Sequence, residues 1–275
     1  MRYKIGDVAN ILGISTDLIR YYEEKGVVSP RKDPHNNYRY YDAWDINFLI
    51  DCVWYKNFGF GIDHIAHLLS DSSFDELLGE LDDKSAELER TIRHQQLLLQ
   101  RLRRQCEIVA DIRSYMGRCD ICYSDDIACY LNRHNGEYTS SPEIQSVSRK
   151  WLEYMPFAKR YFEVPLQQLR FGGEDYYWGL SLDYHYIEEF GLTVRAPVKR
   201  VKPRLCVHSA FISSGKNEFT PHHIDFMVDY ARDHGYTICG PAHGNLVCSV
   251  LENDQPTGYF EAWLPIFEEK NGGAS

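Results

Sequence analysis

Residues 15–26, STDLIRYYEEKG, and residues 27–41, VVSPRKDPHNNYRYY, decide how this chain is read. Ser15 is a natural N-cap, Asp17 sits in the first turn where the helix dipole favours an anion, and Gly26 after Lys25 closes the segment. The spacing predicts a helix over 16–25. Just upstream, Ile5, Val8, Ala9 and Leu12 recur at helical spacing and Gly13 stops them, giving a shorter first helix. Two short helices joined by so few residues form a helix-turn-helix, whose second helix is built to enter a major groove. Downstream, Val27-Val28 and Tyr38-Arg39-Tyr40-Tyr41 are β-prone pieces flanking Pro34-His35-Asn36-Asn37, a turn by composition. Together they read as a wing.

Working outward, Asp42 can cap a third helix running to about Asn57. Gly59 and Gly61 break it before a short helix over Asp63–Leu69, and the first domain ends near Asp75. From Leu81 to Met116 the chain is free of Pro and Gly. Leu88, Ile92, Gln95, Leu99, Leu102, Cys106, Val109, Arg113 and Met116 alternate steps of four and three, a heptad seam. At about 1.5 Å per residue such a helix spans roughly 54 Å, which suits a partner helix better than the exterior of a small domain. Beyond Gly117 the chain turns aromatic and β-rich and runs twice through strand, helix, strand, strand. The first pass places strands near Ile127–Leu131, Pro165–Phe171 and Tyr176–Tyr184, with a helix from Ser141 to Tyr154. The second places strands at Arg204–Phe211, Cys239–Leu251 (interrupted at His243-Gly244-Asn245) and Tyr259–Ile266, with a helix from Thr220-Pro221 to His234. The expected class is α+β.

The 275 residues are enough for about two domains and a connector. With 44% hydrophobic and 25% charged residues, global disorder is excluded. No apolar run reaches the roughly 18 residues that cross a bilayer, and MRYKIGDVAN lacks the apolar core of a signal peptide, so the expected location is cytoplasmic. The eight cysteines, spread from Cys52 to Cys248, are too sparse for a disulfide scaffold. The net charge of -10 argues against nucleic acid only superficially, because residues 1–41 hold seven basic against five acidic side chains, a local net of +2. Residues 119–275 hold 14 basic and 21 acidic side chains, a net of -7 that suits a cationic small molecule.

Ile5-Gly6-Asp7-Val8-Ala9, Gly13-Ile14-Ser15, Leu18-Ile19-Arg20-Tyr21-Tyr22-Glu23, Gly26-Val27, Arg31 and Tyr38-Arg39-Tyr40-Tyr41 closely resemble the DNA-binding domain of the MerR family. The closing Tyr259-Phe260-Glu261-Ala262-Trp263-Leu264-Pro265-Ile266 resembles the GyrI-like effector domain of that family's multidrug-sensing members. The resemblance implies a winged helix-turn-helix over 1–75, an antiparallel coiled-coil dimerisation helix over 76–118, a GyrI-like domain of two βαββ repeats over 119–270 and a flexible tail at 271–275. It implies a homodimer, double-stranded promoter DNA, RNA polymerase and a small-molecule effector as partners. It implies no membrane, no cofactor and no enzymatic activity. Activation would follow from untwisting a promoter whose elements are spaced too far apart.

Arg20 lies one turn into the second helix, where a guanidinium reaches a phosphate or a guanine edge. Tyr21, Tyr38, Arg39 and Tyr41 offer further donors to backbone oxygens, and Lys4, Ser15, Thr16 and Lys25 complete the expected DNA-contact set. Tyr40 and Trp44 read better as core aromatics holding the wing on the third helix. In the closing strand, alternation puts Glu261 on one face with Tyr259 and Trp263, and a carboxylate between two aromatics offers a lipophilic cation an ion partner and π faces. Trp178, Tyr184 and His243 complete the expected effector set. The expected dimer seam is Leu88, Ile92, Leu99, Leu102, Cys106, Val109 and Met116. Two rival readings compete. Cys119 and Cys122, with Cys129 and His134, can form a metal or redox sensor, although a closed site needs about four ligands. Glu261 can serve as the base of a GyrI-like hydrolase, but no Ser-His-Asp set or phosphate-binding glycine motif supports catalysis.

Overall fold

The computed structural model describes residues 2–35, 38–215 and 219–268. The chain divides into two compact units, Met1–His94 and Gln95–Ser275. In the first, β1 (Tyr3–Lys4) leads into α1 (Ile5–Leu12), α2 (Thr16–Glu24), β2 (Arg31–Lys32), β3 (Arg39–Tyr41), α3 (Ala43–Asn57) and α4 (Ile62–Ser70), and α5 (Phe74–Asp111) begins. Local chemistry sets these ends. The Asp7 carboxylate accepts the Lys4 backbone N–H at 2.9 Å, Ser15 Oγ accepts the Leu18 N–H at 3.1 Å, and Asp42 and Asp45 cap α3 reciprocally. Gly13 takes the left-handed φ of 67° that ends α1. The amphipathic faces so fixed close over Val8, Ile19, Tyr22, Tyr41, Leu49 and Ile65, all fully buried. Burial of each such side chain contributes about 1.5–3 kcal/mol.

Two expectations change here. Val27 and Val28 are buried core residues rather than strand; the wing strand is Arg31–Lys32, and β1 joins the wing to make a three-stranded sheet of order β1-β3-β2. Of the expected turn, Asn36 and Asn37 lie outside the described residues. The long helix starts at Phe74, not Leu81, because Ser73 and Glu76 exchange side-chain caps (Ser73 N–H to Glu76 at 2.8 Å, Glu76 N–H to Ser73 Oγ at 3.3 Å) and Gly79 is carried within the helix.

The second unit takes the end of α5 and a 3-10 turn, Ile112–Ser114. It then runs through β4 (Asp120–Tyr123), β5 (Ile127–His134), β6 (Glu137–Tyr138), α6 (Pro142–Leu152), β7 (Lys159–Val164), α7 (Leu166–Phe171), β8 (Tyr177–Asp183), α8 (Tyr184–Glu189), β9 (Lys199–Val201) and β10 (Leu205–Ser214). A 3-10 turn (Pro221–Ile224) precedes α9 (Asp225–Asp233), β11 (Tyr236–Ile238), β12 (Ala242–Glu252) and β13 (Gln255–Glu268). The ten-stranded sheet has the order β4-β10-β13-β12-β7-β8-β5-β6, with β11 on β13 and β9 on β5. Two βαββ repeats are visible in that order: β5-β8-β7 and β10-β13-β12 each place the third strand between the first and second, and the repeats meet through β7 and β12. One face of the sheet buries Phe162, Trp178, Phe260 and Leu264 against Met227 and Ala231 of α9, and Tyr130 and Leu180 against Trp151 of α6. Alternation sends Glu261 and Trp263 to the other face.

Pro165–Phe171, expected as a strand, is helical from Leu166. Pro165 presets its start, Leu166 and Leu169 stand three apart, and Gly172 ends it at a φ of 77°. The strand is instead Lys159–Val164. The expected interruption at His243-Gly244-Asn245 is continuous β12, and the irregularity falls later, between Leu246 and Cys248. Glycine is required there for close approach: a Cβ on Gly244 would lie 2.0 Å from the Glu261 carbonyl oxygen and 2.6 Å from the Phe162 ring. The expected tail at 271–275 lies outside the described residues.

Candidate nucleic-acid interface and ligand cavity

In the first unit α2 presents its polar face outward. Arg20 has 55% of its side chain exposed and is held by Asp17 at 2.8 Å, one turn back on the same helix. Tyr21 is exposed beside it, with the Lys25 ammonium 5.7 Å from its ring centroid, and Lys25 also pairs with Asp63 at 2.7 Å. Lys4 Nζ stands 5.8 Å from the ring of exposed Tyr38. Glu23, at the end of α2, takes both Arg39, at 2.7 Å, and the Tyr41 hydroxyl, which donates to it. One buried carboxylate therefore ties β3 to the second helix. Burial and Glu23 together push the Tyr41 phenol well above its usual range.

In the second unit a cavity of about 1450 Å³ opens between the sheet and residues 96–111 of α5. Leu97 packs α5 down, and Gln105 Nε2 donates to the Val247 carbonyl at 2.7 Å. Glu261 lies on the floor with only 18% of its side chain exposed, and His208 Nε2 stands 3.8 Å from its carboxylate. That nitrogen is buried without a hydrogen-bond partner. Trp263 stands beside them, 5.0 Å from the His208 ring, and Tyr115 approaches His208 from the α5 side at 5.7 Å. Two carboxylates of the lining are neutralised: Asp183 by Lys159 at 2.6 Å, Asp126 by Arg200 at 2.6 Å. Asp125 is reached by solvent but walled by protein. Desolvation raises its pKa, Lys159 opposes this, and Asp183 and Glu261 add to it. Five carboxylates that line the cavity, Glu261, Asp125, Asp111, Asp120 and Glu188, have no ion-pair partner among Lys and Arg of the described residues, and of these Glu261 stands beside the Trp263 indole.

Residues 3–72 match the MerR HTH family of regulatory proteins. The transcriptional activator TipA of Streptomyces coelicolor is 31% identical over 75 residues, 27% of this chain but only 30% of TipA, so less than a third of that relative's length is shared. The heavy metal-dependent transcription regulator 2 of Rhizobium meliloti is 32% identical over 105 residues, covering 33% of this chain and 71% of the relative. The chain belongs to the MerR family. Among solved structures, the EcmrR–DNA complex in EcmrR-RPo aligns with 97% of this chain at 13% identity, with a TM-score of 0.38, too slight a likeness to carry any argument.

On this MerR-family chain the expected residues separate. Arg20, Tyr21 and Lys25 lie along α2 and its C-cap, and Lys4 stands by exposed Tyr38 at the wing; Ser15 is engaged as the α2 cap and Thr16 is partly buried beside it. Arg39 is half exposed on Glu23. Tyr41 is fully buried, so its hydroxyl braces the wing and does not face DNA, while Trp44, expected in the core, is 71% exposed. The parity of the wing strand is one residue off. Glu261, Trp263 and Tyr184 line the cavity, although Arg200 already covers the Tyr184 ring at 3.5 Å. Tyr259 shares their face but sits at its end, donating to Glu252 at 2.8 Å among Ile112 and Ala210. His243 is buried behind Trp263, 6.1 Å ring to ring, and desolvation lowers its pKa to about 4. Trp178 lies on the opposite face, in the core.

Cys119 and Cys122 do not converge. Cys119 immediately precedes β4 and packs into the helix-side core, Cys122 lies within β4, pairs in register with Cys206 and lines the cavity, and Cys129 is buried beside Tyr161. Burial raises all three thiols, to about 11 for Cys129, which disfavours the thiolate. Among the described residues no three His, Cys, Asp or Glu side chains gather at metal distance, and His134 instead stacks on Tyr177 and pairs with Asp175. Along α5, Leu88, Ile92, Leu99, Leu102, Cys106 and Val109 are exposed. Met116 falls beyond the helix, bridges to Ala210 and is partly buried, so it leaves that row. His208 and Asp125 were missed from sequence. His208 had no signal beyond alternation in β10, whereas the Asp125-Asp126 pair ahead of a strand was visible.

Proposed function

We propose that this chain is a ligand-responsive transcription regulator that binds a pseudo-palindromic promoter operator as a homodimer, and activates transcription when a lipophilic cation enters the cavity of its second unit. The observation that carries the reading is Glu261: a largely buried carboxylate with no Lys or Arg partner, beside Trp263, in a cavity large enough for a drug-sized ligand. An unpaired buried carboxylate is costly, and a cation repays that cost while the indole face adds about 0.5–2 kcal/mol. TipA is described as a transcriptional activator, which supports the direction of the response. Arg20, Tyr21, Lys25, Tyr38 and Lys4 are the proposed DNA contacts. The row Leu88, Ile92, Leu99, Leu102, Cys106 and Val109 is the proposed seam of an antiparallel coiled coil, since exposed leucines at heptad spacing on one helix call for a partner helix. α5 contributes residues to both units, so the covalent path from cavity to reading head runs along it. Promoter distortion, on the order of several kcal/mol, would be offset by two copies of the winged head acting together.

The test is calorimetric titration of the full chain with an aromatic quaternary ammonium and with its neutral carbon isostere. The cation should bind at least tenfold more tightly than the isostere, and Glu261→Gln should erase the difference. Equal binding of both compounds, or a Glu261→Gln variant with unchanged preference, would remove Glu261 from the account.

A further inference from the structure

Trp178 belongs to a second arrangement, on the helix-bearing face of the sheet. Arg133 of β5 stands opposite Trp178 of β8 in the ladder, and Arg160 of β7 is diagonal to it, opposite Leu180. Each guanidinium carbon lies 5.1 Å from the Trp178 ring centroid, and Arg133 is also 5.6 Å from the Tyr138 ring. Several arginines elsewhere in the chain meet carboxylates, among them Arg39 with Glu23, Arg113 with Glu252 and Arg200 with Asp126. Arg133 and Arg160 have no carboxylate within ion-pair distance among the described residues. Instead they face each other's charge, and burial together with Arg133 lowers the Arg160 pKa. Two donors are stranded at the same place. Arg133 Nε and Trp178 Nε1 are buried with no acceptor, although Trp178 is only 5% exposed.

Two like charges kept together beside buried, unsatisfied N–H groups lack an acceptor of negative charge. A guanidinium offers five donors in a planar fork that matches an oxyanion, and bidentate pairing of that kind is stronger than a neutral hydrogen bond. The π contacts hold both cations in place without consuming those donors. We infer that Arg133, Arg160 and Trp178 Nε1 form an oxyanion site, for a phosphate or carboxylate group, on the face opposite the Glu261 cavity. It is independent of the cation reading and makes the second unit a receptor for two ligands of opposite charge.

Titration of the full chain with inorganic phosphate, phenyl phosphate and benzoate, against chloride at matched ionic strength, tests this. The expected result is saturable binding of at least one oxyanion with a rise in melting temperature that chloride does not reproduce. Arg133→Gln and Arg160→Gln should each weaken it at least tenfold. Tighter binding of phenyl phosphate or benzoate assigns the site to an anion on an organic body, and tightest binding of inorganic phosphate assigns it to the free ion. Arg160→Gln should be at least as stable as the parent without ligand, because a like-charge contact is relieved. Glu261→Gln should bind oxyanions as the parent does, so failure of the cation reading leaves this result readable. Oxyanions that act no differently from chloride, or folded arginine variants that bind unchanged, would overturn the site.

Discussion

Replacing Glu23 with alanine should loosen the wing from the second helix, and the size of the effect can be worked from its two contacts. Tyr41 is fully buried, so removing its acceptor leaves a hydroxyl unsatisfied at a cost of about 1–3 kcal/mol. Arg39 keeps 43% of its side chain exposed, so its ion pair contributes only about 0–1 kcal/mol after solvent screening. A loss near 2 kcal/mol multiplies local opening roughly thirtyfold, read as faster hydrogen exchange of the amides of residues 31–41 in the full chain. Tyr41→Phe removes the stranded hydroxyl, so Glu23→Ala made in that background should cost only about 1 kcal/mol or less; the difference is the coupling between the two side chains. Operator affinity should fall in parallel, because Tyr38 next to Arg39 loses its fixed position. Unchanged exchange in Glu23→Ala, or the same cost with and without the Tyr41 hydroxyl, would refute this account of the wing.

Other outcomes follow from the same geometry. His243 has its pKa lowered to about 4 by burial, against an ordinary value near 6.5, so the unfolded chain gains a proton on acidification before the fold does. Its contribution to stability is present above about pH 6.5 and is lost as pH falls to about 4, on the order of 3 kcal/mol, and His243→Asn should flatten that window in denaturation measured against pH. Gly244→Ala drives a Cβ to 2.0 Å from the Glu261 carbonyl oxygen and should lower the melting temperature sharply, whereas Gly6→Ala, with open space around it, should not do so by overpacking. Leu102→Glu places a charge in the exposed apolar row of α5 and should convert a dimer to a monomer in analytical ultracentrifugation.

What sequence could and could not supply divides along physical lines. Caps are local, so Ser15, Gly13 and Asp42 were readable, and the Ser73–Glu76 pair was equally readable but overshadowed by Gly79, a glycine that a long helix tolerates at a cost of about 1 kcal/mol. A fourteen-residue strand fixes its own parity, which is why alternation put Glu261 and Trp263 on one face. A three-residue strand does not, and Tyr41 rather than Tyr40 turned inward. Long-range neighbours were out of reach. His208 meets Glu261 only through the β10–β13 register, Trp178 is claimed by two arginines from other strands, and the α5 wall of the cavity depends on how the helix docks.

The central claim is that Glu261 reports a bound cation to a DNA-bound reading head. Transcription in vitro from the cognate operator with RNA polymerase, with and without an aromatic quaternary ammonium, measures it directly. The parent should be stimulated by the cation, Arg20→Ala should lose operator binding, and Glu261→Gln should bind the operator as the parent does while giving no stimulation. Full stimulation of Glu261→Gln by the cation would contradict the account.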